Sequence, residues 1–91
     1  MSRDLLVVFP TTHLTLAAEK VFKGAGIIHR TIMKPRKISS DCGLAVTLEK
    51  EQVDRVRALL EDSGHLPATF YGAGENGWDF LFRLNRAGEG A

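Results

Sequence analysis

Thiols are scarce in this chain: of its 91 residues, one is cysteine. A single thiol closes no intramolecular disulfide and excludes a multi-cysteine metal cage within one chain. An excess of one charge is missing too, with 12 Lys and Arg against 11 Asp and Glu. Bulk electrostatics therefore give no argument for nucleic-acid or membrane binding. Long hydrophobic runs are absent, and none approaches the ~20 residues that span a bilayer. Met1-Ser-Arg-Asp4 runs straight into a short apolar segment, without the charged n-region, long apolar h-region and cleavage site of a signal peptide. The expected compartment is a reducing cytoplasm. Internal repeats are lacking, and residues 85–91 form the one biased segment, polar and Gly-rich.

What is present is an ordinary globular composition, 44% hydrophobic. The length suits one domain that buries roughly 60% of its unfolded surface. Leu5-Leu-Val-Val-Phe9, closed by Pro10, reads as a central strand. Leu14, Ala17, Ala18, Val21, Phe22 and Ala25 recur at helical spacing, with Thr12 as the cap and Gly26 as the left-handed stop. Residues 27–33 form a second strand, ended by Lys34-Pro35. Leu44, Val46 and Leu48 alternate with Ala45 and Thr47 in a half-buried third strand. Val53, Val56, Leu59 and Leu60 make the apolar stripe of a second helix, closed by Gly64. Residues 68–71 are a fourth strand, and Gly72-Ala-Gly-Glu-Asn-Gly77 is a turn-rich link with an Asn-Gly hairpin signal. In a fifth strand, Trp78, Phe80, Phe82 and Leu84 alternate with Asp79 and Arg83.

This order predicts an α+β fold: a ferredoxin-like βαββαβ two-layer sandwich with an appended C-terminal β-hairpin strand. Residues 1–84 form the single domain and 85–91 a flexible tail. Strand three is expected between strands one and two, strand four beside strand one, and the added strand on that edge. Helices cover one face of the sheet. Strand one is apolar on both faces, so the other face calls for a cover, and a second subunit making a homodimer would supply it.

The cysteine lies in Pro35-Arg-Lys-Ile-Ser-Ser-Asp-Cys-Gly43, a short polar, basic segment between two strands. A packing cysteine is expected within an apolar run, so Cys42 is expected on a loop, facing solvent as a reactive thiol. The topology sets it beside Thr11, Thr12 and His13 at the amino end of the first helix, where free amides and the helix dipole favour an anion. A thiolate there has a lowered pKa, helped by Arg36 and Lys37 and opposed by Asp41. Gly43 allows a sharp turn into strand three and close approach to the sulfur. Ser39 and Ser40 offer hydroxyls to a bound anion or persulfide. His13 is a candidate proton partner for the thiol. The plain alternatives are a gap-filling sulfur, a solvated histidine and ordinary loop polarity.

Cys42, His13 and His65 share one end of the sheet, but their spacing matches no established zinc pattern. His29, inside strand two, is read as structural. The glycines of 72–77 join two strands rather than opening a helix, so no phosphate cradle is expected. The aromatic residues of the last strand are read as packing, and a phosphate held by Lys34, Arg36 and Lys37 as the lesser reading of that cluster.

Phe9-Pro-Thr-Thr-His13 with Ala18-Glu19-Lys20, then Pro35-Arg36, Ser39-Ser40 and Cys42-Gly43-Leu44-Ala45, resembles a family of small bacterial selenium/sulfur carrier-like proteins, the DUF3343 group. The resemblance covers residues 5–71 and leaves the aromatic hairpin 72–84 outside. It implies a carrier rather than a stand-alone enzyme, with no cofactor. Cys42 would hold sulfur or selenium as a persulfide or selenopersulfide between a cysteine desulfurase-type donor and an acceptor protein. With no second cysteine, release would occur on the acceptor. The rival readings are a non-catalytic small-ligand sensor or protein-interaction module, and a redox-sensing thiol.

Overall fold

The computed structural model describes residues 4–39, 42–75 and 77–86. Its strands are β1 (Leu5–Val8), β2 (His29–Met33), β3 (Leu44–Leu48), β4 (Ala68–Gly74) and β5 (Gly77–Leu84). Helix α1 (Thr12–Gly24) follows β1, and α2 (Val53–Ser63) follows β3 after a short 3-10 turn at Lys50–Gln52. The five strands form one sheet in the order β2-β3-β1-β4-β5, and every neighbouring pair is antiparallel. This is the expected ferredoxin-like α+β sandwich with one strand added at the β4 edge. Among the described residues, no helix is long and apolar enough to cross a membrane.

The main core lies between the helices and one face of the sheet. Ala18 and Phe22 of α1 and Val56 and Leu60 of α2 pack there with Leu5, Val7, Phe9, Val46, Leu48, Ala68 and Phe70. Burying each of the larger side chains is worth about 1.5–3 kcal/mol. The stop of α1 is well defined: Gly26 has φ 73°, Gly26 N–H bonds Lys23 O, and Ile27 N–H bonds Phe22 O at 2.9 Å. Ile27 and Phe22 are both buried, the apolar contact that accompanies such a stop. This is why the second strand starts at His29 rather than at residue 27. Gly64, with φ 75°, closes α2 as expected.

The start of α1 differs from the expectation by one residue. Thr11, in an extended conformation, is the cap, and its hydroxyl accepts the Leu14 N–H at 3.1 Å. Thr12 is thereby the first helical residue, and its hydroxyl faces elsewhere. β3 is buried on both sides from Ala45 to Leu48, because the second face of the sheet is also covered. Ile38, from the segment after β2, packs there on Leu6, Val8 and Ala45, flanked by Ile32, Tyr71 and Trp78. Ile38 thus covers part of the face for which a second subunit was invoked, while Phe80, beside Tyr71 on that face, stays 63% exposed.

The last two strands reach further than the sequence pattern implied. Gly74 pairs with Gly77, so most of the glycine-rich link is strand; Asn76 lies outside the described residues. The single-face reading of Trp78, Phe80, Phe82 and Leu84 does not hold. An extra residue, Leu81, interrupts the pairing between Phe70–Phe82 and Tyr71–Phe80, and a bulge of one residue inverts the alternation beyond it. Phe82 stacks on Phe70 with centroids 4.5 Å apart and joins the helix-side core. Phe80 meets Tyr71 edge-on at 6.2 Å, and Trp78 packs with the opposite face. Asn85 accepts a bond from Arg83 at 2.8 Å; the expected tail lies outside the described residues from position 87 onward.

Candidate functional site

The antiparallel pairing of β3 with β1 sets the start of β3 beside the first turn of α1. Cys42 stands two residues before Leu44, where β3 begins, and its sulfur meets that turn. Thr15 Oγ1 lies 3.2 Å from Cys42 Sγ and Thr12 Oγ1 lies 3.7 Å away. The Leu44 N–H donates to Sγ at 3.4 Å, and Leu44 O is 3.5 Å from it. The expected adjacency to the helix start is present. The expected exposure is not: Cys42 is only 1% accessible. A loop cysteine is buried here because β3 and α1 close over it, while its flanking residues Gly43 and Thr12 stay exposed.

The surroundings of the sulfur are polar rather than hydrocarbon. Thr15, fully buried, donates its hydroxyl to Thr11 O at 3.0 Å when it faces that carbonyl. A hydroxyl carries one proton, so Thr15 can donate either to Thr11 O or to the sulfur. With a thiol, S–H donates to the hydroxyl or to Leu44 O. With a thiolate, Thr15 turns its proton to sulfur, and Thr11 O keeps the Thr15 N–H at 3.1 Å. Burial pushes the Cys42 thiol up; the Thr15 hydroxyl, the Leu44 amide, the Thr12 hydroxyl and the Lys34 charge pull it down, and the downward pull prevails.

Lys34 is the cation that acts on the sulfur, in place of the Arg36 and Lys37 favoured from sequence, both of which are exposed. Its Nζ donates to Ile38 O, and its backbone N–H bonds Gly43 O at 2.9 Å. Gly43 itself has room for a side chain and no left-handed φ. The turn that glycine was expected to ease does not depend on glycine here. Ser39 is exposed, while Ser40 and Asp41 lie outside the described residues. Thr11 serves the helix as its cap.

His13 is exposed in the first turn of α1. With His29 and His65 it lines a groove of about 700 Å³ along that helix, together with Leu16, Lys20 and Val21. Among the described residues, no three His, Cys, Asp or Glu side chains come together as metal ligands, so Cys42, His13 and His65 do not make the considered zinc set. His29 is held structurally, with Nδ1 2.9 Å from Ile27 O and its ring edge-on to Phe22 at 5.7 Å. Sequence reasoning missed Thr15. The signal was there: Thr15 shares the buried stripe of α1 with Ala18 and Phe22, and a hydroxyl in an apolar stripe needs a partner.

A family model described as "Putative Se/S carrier protein-like" matches residues 4–72. No curated protein and no solved structure matches the chain. The matched span holds Thr11, Thr12, Thr15, Lys34 and Cys42, every side chain named above around the sulfur, and leaves β5 outside. With three quarters of its length under that match, the chain belongs to the Se/S carrier-like family.

Proposed function

We propose that this protein carries sulfur or selenium on Cys42 as a persulfide or selenopersulfide. The observation that carries the reading is the sulfur's cradle, two threonine hydroxyls and the Leu44 amide at 3.2–3.7 Å, which holds the thiol below its ordinary pKa despite burial. In loading, the Cys42 thiolate attacks the terminal sulfur of a persulfide on a desulfurase-type donor. One S–S bond forms on Cys42 as the donor's S–S bond breaks, and the donor cysteine departs as a thiolate, so nothing is oxidised or reduced overall. Delivery to an acceptor thiol repeats the exchange in the other direction.

His13, exposed one residue from Thr12, is assigned to take the proton of the Cys42 thiol and return it to the departing donor. Arg36 and Ser39, exposed on the segment that Lys34 pins, are assigned to contact the donor and acceptor. Burial at 1% requires that the cover of the sulfur open during transfer, and Thr12 and Gly43, near the sulfur, are exposed.

The test is mass spectrometry after incubation with a cysteine desulfurase and cysteine. One added sulfur on Cys42, absent from Cys42→Ser, is the expected result. No added sulfur, while an established acceptor loads in parallel, sinks the proposal. The sensor reading predicts the opposite pattern, with function intact in Cys42→Ser and a thermal shift on ligand addition.

A further inference from the structure

On the sheet face turned away from the helices, the segment after β2 and the hairpin of β4 and β5 enclose a cavity of about 280 Å³. Pro35, Lys37, Ile38 and Ser39 line it from the segment, and Tyr71, Trp78 and Phe80 from the hairpin. The bulge at Leu81 makes this arrangement. In unbroken alternation Trp78 and Phe80 would join Phe82 and Leu84 in the helix-side core. The extra residue re-aims them to the opposite face. There Phe80 meets Tyr71 edge-on and stays largely exposed.

Among the described residues, charge on this face has one sign. Lys37 is the one charged side chain lining the cavity. Residues 34–39 add Lys34 and Arg36 and no acidic residue. The strand positions of this face hold Arg30 and Arg83, and again none is acidic. Asp79, between Trp78 and Phe80 in sequence, lies on the helix side beside Gly74.

We propose that this cavity binds a free planar aromatic anion, one ring system bearing a carboxylate or phosphate, at a site apart from Cys42. The ring stacks on Phe80 and Trp78 with Pro35 and Ile38 opposite, and Lys37 and the Ser39 hydroxyl donate to the anionic group. The volume is at the small end of ligand pockets, so a single or fused ring fills it. A nucleic-acid strand fits less well, because stacking several bases needs aromatic residues across the central strands. Leu6, Val8 and Ala45 stand there instead, under Ile38. Since β5 falls beyond the matched residues 4–72, the site belongs to this chain's own hairpin and not to the family pattern.

Trp78 is the only tryptophan, so its indole N–H gives a single nitrogen–proton NMR signal from within the cavity. Titrating the folded protein with naphthoate should move that signal saturably, with a Kd of about 1 mM or tighter. Naphthamide, equally planar but uncharged, should bind about two- to fivefold more weakly, the worth of a solvent-exposed charge pair. Lys37→Gln should abolish that difference, and Phe80→Ala should weaken both probes about two- to tenfold. Cys42→Ser should bind as wild type does, which keeps this result separate from the desulfurase test. No saturable movement at about ten times the expected Kd, equal binding of the two probes, or unchanged binding in Phe80→Ala overturns the proposal. So does a homodimer that covers Phe80, seen as movement of the Trp78 signal with protein concentration alone.

Discussion

Replacing Thr15 by valine removes one oxygen from the interior and little else. The side chain is fully buried, its Oγ1 lies 3.2 Å from the Cys42 sulfur and 3.0 Å from Thr11 O, and valine has nearly the same shape. Two energies compete. Thr11 O retains the Thr15 N–H at 3.1 Å, so no buried carbonyl is orphaned, and the neutral bond lost is worth only about 1 kcal/mol. The thiolate loses more, because a bond to a charged acceptor is worth about 1.5–3 kcal/mol. That difference, about 0.5–2 kcal/mol, corresponds to a roughly two- to thirtyfold fall in the thiolate fraction at a pH below the thiol's midpoint. Ultraviolet thiolate absorbance, titrated with pH, reads this without depending on access to the sulfur. The expected order is wild type and Thr15→Ser close together, Thr15→Val titrating higher, and a melting temperature for Thr15→Val lowered by no more than the roughly 4–8 °C that 1 kcal/mol is worth in a domain of this size. Coincident titration curves for wild type and Thr15→Val would refute the reasoning, since the hydroxyl would then be packing beside the sulfur and not holding its charge.

The same lowered pKa makes stability depend on pH in a fixed direction. In the window between the folded thiol's midpoint and the ordinary value near ~8.5, the unfolded chain binds more protons, so stability rises with pH; it is fully present above that value and lost as pH falls through the folded midpoint. Cys42→Ser should lack this rise in denaturant melts compared across that window. Lys34→Met removes the cation acting on the sulfur, and the thiolate absorbance of this variant should titrate higher than wild type at low salt and less so at high salt. Thr11→Ala loses the cap bond to Leu14 N–H and should cost about 1 kcal/mol in urea unfolding. Gly43→Ala should be neutral within about 0.5 kcal/mol, whereas Gly26→Ala, at φ 73°, should cost about 1–2 kcal/mol; equal costs would contradict the backbone account. His13→Ala should slow loading from a donor while leaving the thiolate titration in place.

Periodicity and punctuation by themselves determined the order of elements, the antiparallel sheet, both helix stops and the meeting of Cys42 with the start of α1. Apolar spacing, Gly26 and Gly64 are local signals, and crossover rules leave few ways to arrange βαββαβ. The family motifs were legible for the same reason, as short runs of residues. What only the tertiary structure decided are properties that depend on several elements at once. Exposure of Cys42 is one: a polar segment reads as surface, yet β3 and α1 together close over the sulfur. The partner of that sulfur is another, because Thr15 looks like a flaw in an apolar stripe until the stripe is seen to face Cys42. Lys34 acts in place of the two adjacent cations since loop geometry, rather than charge count, sets the distance to sulfur. The bulge at Leu81 sends aromatic residues of one alternating pattern to opposite faces, and a single inserted residue leaves no mark in the pattern itself, because register is agreed between two strands and written in neither.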